Sequence, residues 1–263
     1  MHLQELLLGH NKGEVEFFDK ALLVLSDDTV FEGYSVGYSG STVGELVFNT
    51  AITGYQEIIS DPSYMGQIIT LTFPHIGNVG CNEDDLESKK ISANGLVVRD
   101  LPKNYSNFRA RESLSNFLVK KRIVAISNID TRKLTRHLRS NGAINGSIVS
   151  FKSSEDSGRH AALESAKSLL KKSQNLKGKN LAKEASTQDK FFWNSRSLGY
   201  QERVKNESYL IIVFDLGVKS NILRILIDLG CKVIVVPYDT SFEEAKELGA
   251  DGILLSNGPG DPE

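Results

Sequence analysis

The chain contains little cysteine and no long apolar run, and both shortages exclude whole classes of protein. Its two cysteines, Cys81 and Cys231, lie far apart and outside any CxxC or Cys/His spacing, so neither a disulfide framework nor a zinc site is predicted. No stretch approaches the ~18 apolar residues of a membrane span, and Leu6-Leu7-Leu8 is too short for a secretory signal. We therefore expect a reducing, cytoplasmic location and no membrane partner.

An excess of charge of either sign is also missing. The 263 residues carry a formal net charge of −2 and the pI is near 6.2, which gives no general electrostatic reason to bind nucleic acid or an anionic surface. The sequence also lacks a GxxxxGK[ST] phosphate loop and an acidic metal cluster. We therefore expect no nucleic-acid partner, no metal and no cofactor bound by this chain.

The chain is long enough for about two domains. In the first, residues 20–152, short β-like runs are bounded by Gly, Pro, Asn or Asp, and they begin with a hairpin that turns at Asp27-Asp28. A helix is predicted from Asp130, a typical N-cap, to Arg139, with Asn141-Gly142 ending it. The pattern predicts a β-rich α+β domain, and residues 1–19 are interpreted as an extension outside it.

Residues 209–263 show a different pattern. The continuous apolar run Leu210 to Phe214 is typical of a strand buried on both faces of a parallel sheet. A helix at 219–229, a strand at 232–236, a helix capped by Ser241 and a strand at 252–256 follow. We predict the first half of an open parallel α/β domain, so the overall class is α/β. The rest of that domain is expected to lie outside this chain.

Between these domains, residues 153–208 are rich in Lys, Ser, Asn and Gln and are interpreted as a linker. It contains one predicted helix, His160 to Lys172. Phe191-Phe192-Trp193 is interpreted as an aromatic anchor that attaches the linker to a domain. A base-stacking platform is the alternative, but no basic groove accompanies it in the sequence.

Two segments have chemical interpretations beside structural ones. The basic helix Thr131 to Arg139 is either a solvated charged face or a docking surface for a partner subunit. The loop Asn257-Gly258-Pro259-Gly260-Asp261-Pro262 follows a buried strand, where glycines let the backbone approach a ligand and an exposed N–H can donate to an oxyanion. A tight turn without a ligand is the structural alternative for this loop.

The loop is part of a larger resemblance. A strand that ends in Leu-Ser-Asn-Gly-Pro-Gly-Asp-Pro resembles the glutamine-binding loop of class I glutamine amidotransferases. The first domain narrows the family, because several of its motifs resemble the small subunit of carbamoyl phosphate synthetase. These motifs are Gly44 to Thr50, Thr53-Gly54-Tyr55-Gln56-Glu57, Asp61-Pro62-Ser63-Tyr64, Pro74-His75-Ile76-Gly77-Asn78 and Ile129 to Thr135.

The resemblance implies an activity, partners and a site. The family hydrolyses glutamine and passes ammonia to a large synthetase subunit, which binds ATP and Mg and makes carbamoyl phosphate for arginine and pyrimidine biosynthesis. It implies that Ser63, Gly258 and Gly260 contact glutamine, with Gly258 as an oxyanion donor.

The family's nucleophile, a Cys in a Gly-x-Cys-x-Gly elbow, and its His and Glu partners have no counterpart in these residues. No catalytic side chain is therefore assigned here. Cys231 is interpreted as a small buried hydrophobe, Cys81 as a loop thiol and His75 as a structural, hydrogen-bonding histidine rather than an acid or base.

Three hypotheses remain at the level of sequence. The first is an inactive portion of the small subunit of a glutamine-dependent carbamoyl phosphate synthetase. The second is a non-catalytic module or remnant that only holds a partner subunit. Release of ammonia from glutamine by the chain would overturn the missing nucleophile, whereas binding to a synthetase subunit without turnover would favour the second hypothesis. The third, an unrelated amidotransferase, explains the Gly-Pro-Gly loop but not the motifs at residues 44–78.

Overall fold

A closed β-barrel forms the first part of the chain. The computed structural model describes residues 19–152, 156–173, 176, 178–199 and 209–260, so nearly all of the predicted N-terminal extension lies outside the described residues. The barrel strands are hydrogen-bonded in the order β1-β2-β6-β5-β4-β3-β7, and β7 pairs with β1 to close it. Their bounds are β1 Lys20–Leu25, β2 Val30–Ser35, β3 Ser41–Asn49, β4 Gln67–Leu71, β5 Gly95–Val97, β6 Val124–Ser127 and β7 Ile144–Phe151.

Four neighbouring barrel strands, β3 to β6, run parallel. Parallel strands need crossover connections, which here contain α1 (Tyr55–Ser60), a 3₁₀ helix (Pro62–Tyr64) and α2 (Leu114–Lys120). Because the four strands share a direction, their carboxyl ends lie at one rim of the barrel. At the same rim β6 leads into α3 (Thr131–Asn141), whose Leu134 and Leu138 are buried in the barrel core.

The predicted helix of the linker packs against the barrel. This helix, α4, spans Asp156–Lys172, and its small residues Ala162 and Ala166 form one apolar cluster with Leu22, Val24 and Val149 of β1 and β7. Small side chains let a helix lie close to a sheet, and the buried apolar area contributes about 25 cal/mol per Å². Part of residues 153–208 therefore belongs structurally to the barrel.

The second unit is an open, mostly parallel sheet in the order β11-β9-β10-β8. The central apolar run predicted at 210–214 is β9, and β8, formed by Phe191-Phe192-Trp193, pairs antiparallel with β10 at the edge. The β-rich first unit and the partial α/β second unit confirm the predicted fold class. The bounds are α5 Leu181–Ala185, β8 Phe191–Trp193, β9 Tyr209–Phe214, α6 Ser220–Asp228, β10 Cys231–Val236, α7 Phe242–Glu247 and β11 Gly252–Leu255.

Helices cover both faces of this sheet. Leu223 of α6 is buried against Val213 and Val233 on one face, and Ala245 of α7 is buried against Ile212 on the other. Ser241 and Glu244 form the predicted capping box of α7, with a Ser241 Oγ to Glu244 N distance of 3.2 Å. Within the described residues, no helix is both long enough and apolar enough to cross a bilayer.

A buried glutamate joins the two units. The Glu87 side chain accepts a hydrogen bond from Asn221 N at 2.9 Å, and its carbonyl accepts bonds from Ser220 N and Ser220 Oγ at 2.9 and 2.8 Å. These donors are in the first turn of α6, whose N–H groups lack partners within the helix. A negative charge there also interacts favourably with the helix dipole. Glu87 therefore fixes α6, and the sheet that carries it, against the barrel.

Candidate functional site

The Gly-Pro-Gly loop lies where two neighbouring parallel strands end. Residues 257–260 follow β11, and residues 215–219 follow the adjacent β9. Ser256 connects the two loops, because its Oγ accepts a hydrogen bond from Leu216 N at 3.0 Å and donates one to Asn257 O at 2.7 Å. The carboxyl ends of strands are where open α/β sheets bind ligands.

The glycines in these loops allow the two backbones to touch. A Cβ added to Gly258 would lie 2.1 Å from the Leu216 carbonyl oxygen, so no larger residue fits unless the backbone moves. Gly217 has φ +117°, and its added Cβ would lie 2.9 Å from Pro259 Cδ. Gly258 is exposed, and no described residue accepts a hydrogen bond from its N–H. That N–H is available to a ligand.

Asn257 connects this loop to the barrel unit. Its Nδ2 donates to Ser63 Oγ at 2.9 Å and to Gly217 O at 3.0 Å. Ser63 lies in the 3₁₀ helix, which is capped by Asp61 through a 2.9 Å bond from Ser63 N to Asp61 Oδ1. The structure thus brings Ser63 beside the Gly258 and Gly260 loop, although 194 residues separate Ser63 from Asn257.

An ion pair supports the same junction. Lys219 Nζ lies 2.7 Å from Asp61 Oδ2, and the Asp61 side chain is only 7% exposed. Burial alone would lower the pKa of Lys219, but the hydrogen bond and charge of Asp61, together with the charge of Glu87, raise it above its ordinary value. Lys219 is therefore a charged amine held next to the Ser63 helix.

A second carboxylate shapes the loop after β9. Asp215 is buried, and its Oδ1 accepts hydrogen bonds from Gly217 N at 3.0 Å and Val218 N at 2.9 Å. Its Oδ2 accepts a 2.7 Å bond from Thr187 N, which follows α5. Three backbone donors hold this side chain in one position, so Asp215 organises the loop.

Neither cysteine has the environment of a thiol nucleophile. Cys81 is fully buried, and burial, followed by the charges of nearby carboxylates such as Glu112 and Asp85, raises the pKa of its thiol to about 12. A reactive cysteine instead needs an electropositive, accessible position. Cys231 is partly buried at the start of β10 and packs in the apolar cluster beneath α6.

Cys81 is expected to resist alkylation in the folded protein. Iodoacetamide at about pH 8 should modify the less buried Cys231 first and should reach Cys81 only after urea unfolding, because only the thiolate reacts. Peptide mass spectrometry over a time course measures both rates in one sample. Equal rates at the two cysteines in the folded chain would contradict the buried, high-pKa thiol.

The interpretation of His75 needs a correction. His75 is exposed, and no described residue forms a hydrogen bond with its ring. Its ring instead contacts Phe73 edge-to-face, with a centroid separation of 5.6 Å. Among the described residues, the contact with Phe73 is thus the interaction of the His75 ring, and the predicted hydrogen bond is not found there.

Sequence reasoning did not find several residues of this junction. Asp61 lies inside a quoted motif but was given no role, and Lys219, Asp215, Glu87 and the side chain of Asn257 were also missed. The available signal was positional, because Asp215 and Asn257 both follow strands whose carboxyl ends share one edge of the sheet.

Comparison with known proteins defines the class of this site. Residues 212–263 match the family model "Glutamine amidotransferase class-I", so the sheet and its Gly-Pro-Gly loop are of the class I amidotransferase type. Residues 23–148, which include almost all of the barrel, match "Carbamoyl-phosphate synthase small chain, CPSase domain". Residues 23–148 and 212–263 therefore carry a small-chain domain of the carbamoyl phosphate synthase type followed by a class I amidotransferase domain, in the order that the resemblance predicted.

Individual relatives agree with this assignment. Carbamoyl phosphate synthase small chains from Pectobacterium atrosepticum and Vibrio parahaemolyticus are each 52% identical over 249 residues, and that from Neisseria meningitidis serogroup B is 50% identical over 246. Each alignment covers 92% of this chain, which spans 63–64% of the length of these relatives. Among solved structures, an aminopeptidase from Aneurinibacillus sp. strain AM-1 matches at a TM-score of 0.31 and 11% identity, too weak a likeness to indicate fold or function.

Proposed function

We propose that this chain supplies the barrel domain and one wall of the glutamine site of a glutamine-dependent carbamoyl phosphate synthetase. The observation that carries the proposal is the hydrogen bond from Asn257 to Ser63. It places the Gly-Pro-Gly loop of one unit against the Asp-Pro-Ser-Tyr segment of the other, so that a single ligand can contact both. The similarity to carbamoyl phosphate synthase small chains supports the same role.

The chemistry proposed for these residues is recognition of a carboxamide and of the oxyanion that forms from it. Ser63 Oγ accepts from Asn257, which leaves the hydroxyl hydrogen available to a ligand atom. The backbone N–H groups of Gly258 and Gly260 are proposed as donors to the ligand, and Gly258 N–H is our candidate for the oxyanion donor during attack on the γ-amide. Preorganised backbone donors need no rearrangement as the negative charge develops.

The attacking thiolate is proposed to belong to polypeptide other than these 263 residues. Cys81 is buried with a raised pKa, and the partly buried Cys231 packs against the apolar core of the sheet. In the proposed reaction the thiolate forms a bond to Cδ, the carbonyl carbon of the glutamine side-chain amide, and the C–N bond breaks as the nitrogen takes up a proton and leaves as ammonia. Water then hydrolyses the resulting thioester to glutamate and releases the thiol. This chain orients glutamine and stabilises the oxyanion, but by itself it is not expected to release ammonia.

A large synthetase subunit is the proposed consumer of the ammonia. That subunit would hold the ATP and Mg used to make carbamoyl phosphate, for arginine and pyrimidine biosynthesis in the cytoplasm. Among the described residues, no group of three or more His, Cys, Asp or Glu could hold a metal ion, and the proposal assigns no metal to this chain.

Replacing Ser63 with alanine is expected to weaken glutamine binding about 3- to 10-fold, the value of one neutral hydrogen bond. Titration of glutamine into the purified chain by calorimetry measures the dissociation constant. Ser115→Ala is the matched control, because Ser115 is also partly buried and donates to a backbone carbonyl, Val36 O at 2.9 Å, away from the loop. Equal affinity in the Ser63 and Ser115 variants would remove Ser63 from the site.

A non-catalytic partner-binding module is the second candidate, and the environments of the two cysteines favour it over an active enzyme for the chain alone. Ammonia release from glutamine, measured with and without a synthetase subunit, separates the candidates. Release by the chain alone would contradict the missing nucleophile. Glutamine binding without release supports the site proposed here, whereas subunit binding without any glutamine binding supports the module.

A further inference from the structure

A basic groove lies on the barrel unit, outside the proposed glutamine site. It is at the rim where the parallel strands β3 to β6 end, has a volume of about 590 Å³, and contains the side chains of Arg99, Arg132, Arg136 and Arg139. The carboxyl ends of parallel strands are a preferred position for ligand sites, and this volume is within the usual range of small-molecule pockets.

Three of the arginines form a row on one helix. Arg132, Arg136 and Arg139 have the i, i+4, i+7 spacing of one face of α3, so their Cα atoms extend over roughly 10 Å along the axis. All three side chains are exposed, and no described carboxylate lies within 4.0 Å of their guanidinium groups. Arg99 forms an ion pair with the exposed Asp100, at 3.6 Å, and with no other carboxylate in the described part of the chain. The row therefore concentrates positive charge that the described residues do not neutralise.

Threonine hydroxyls line the rest of the groove. Thr50 and Thr72 directly follow β3 and β4, and Thr131 and Thr135 are on α3. Thr70, near the end of β4, lies two residues before Thr72, and residues two apart in an extended chain point the same way. The Thr70 hydroxyl is fully buried and has no hydrogen-bond partner in the described part of the chain. Hydrogen-bonding capacity is thus unused on a strand that ends at the groove.

The composition of the groove favours a small anion over a protein partner. Its lining is only Arg and Thr, whereas the centres of protein interfaces carry apolar and aromatic side chains. A planar guanidinium group can donate two parallel hydrogen bonds to two oxygens of one phosphoryl group. We propose that this groove binds a small multivalent anion of the oligophosphate class, whose charged groups are spread in a line as the arginines are. This inference is independent of the glutamine site.

Calorimetric titration of inorganic tripolyphosphate into the 263-residue chain at low ionic strength tests the proposal. We expect saturable 1:1 binding that weakens with added salt. The double variant Arg136→Ala/Arg139→Ala should weaken binding about tenfold. The control Arg111→Ala/Arg196→Ala removes the same charge from exposed positions outside the groove and should change the affinity less than about twofold.

A lysine double variant and a second anion complete the test. Arg136→Lys/Arg139→Lys keeps the charge without the fork and should give an intermediate affinity, and its circular dichroism spectrum should match that of the wild type. Citrate, a compact tricarboxylate, should bind more weakly than tripolyphosphate. The proposal is overturned if neither anion saturates the chain, if citrate binds more tightly, if the control pair loses as much affinity as the groove pair, or if only an acidic peptide binds.

Discussion

Replacement of Gly258 with alanine is expected to destabilise the sheet unit by about 2–3 kcal/mol, a typical cost of forcing extra atoms into a packed site. The added Cβ would lie 2.1 Å from the Leu216 carbonyl oxygen and 2.9 Å from the Leu216 carbonyl carbon. Both atoms are backbone, so the clash can be relieved only by separating the loops after β9 and β11. Glutamine binding should be lost with the same change, because the separation moves the Gly258 N–H.

Urea unfolding followed by tryptophan fluorescence measures this effect. Trp193 is the single tryptophan, and it is partly buried against the core of the sheet unit, so its fluorescence reports on that unit directly. Gly252→Ala is the matched control, because its Cβ would contact only the flexible end of Ile211, at 3.0 Å. An unfolding midpoint for the Gly258 variant equal to that of the Gly252 variant would show that the two loops are not in contact.

The second large effect is expected from Lys219→Met, which should destabilise the chain by about 2 kcal/mol. The substitution leaves the nearly buried Asp61 carboxylate without its cation, and unpaired buried charges are costly. The estimate is below the usual value for a buried pair because Lys219 is 38% exposed and partly screened by solvent. Adding Asp61→Asn should recover part of the loss, since an amide oxygen can still accept from Ser63 N.

A double-mutant cycle with Lys219→Met and Asp61→Asn isolates the coupling between the two side chains. Lys103→Met is the control, because Lys103 is exposed and forms no ion pair among the described residues. If the single and double changes add without coupling, the ion pair contributes nothing to the junction.

The stabilisation by the Lys219–Asp61 ion pair is expected to decrease at alkaline pH. The pKa of Lys219 is raised in the folded chain, so the pair's stabilisation is fully present below the ordinary lysine pKa of about 10.4 and is lost as pH rises through the higher folded value. Unfolding midpoints measured from neutral to strongly alkaline pH should therefore fall more steeply for the wild type than for Lys219→Met. Parallel curves would argue against a charged, paired lysine.

Local signals in the sequence were sufficient for some elements. Asp130 and Gly142 bound α3 as predicted, and the Ser241 to Glu244 spacing predicted the cap of α7, because both signals act within one turn of helix. The single apolar run at 210–214 predicted a strand buried on both faces. These interactions need no knowledge of distant residues.

Long-range pairing could not be predicted in the same way. Closure of the barrel depends on β1 pairing with β7, for example Leu23 opposite Ile148, and periodicity does not specify which strands meet. The sequence predicts an anchor at Phe191–Trp193 and not a strand, because three residues are too few to show the alternation of apolar and polar side chains that is typical of strands. At the site, the resemblance supplied Ser63 and the loop glycines, but the bridging side chain of Asn257 is visible only in three dimensions.

The attachment of α6 to Glu87 has a mechanical consequence. Ser220 and Asn221 are held by Glu87, and the preceding residue, Lys219, is held by Asp61, so three consecutive positions bond to the barrel unit. Rotation of one unit against the other would have to break these bonds together. The Gly-Pro-Gly loop and Ser63, the proposed glutamine site, are therefore expected to move as one rigid body with the barrel. A partner that binds the barrel would also fix the position of this loop.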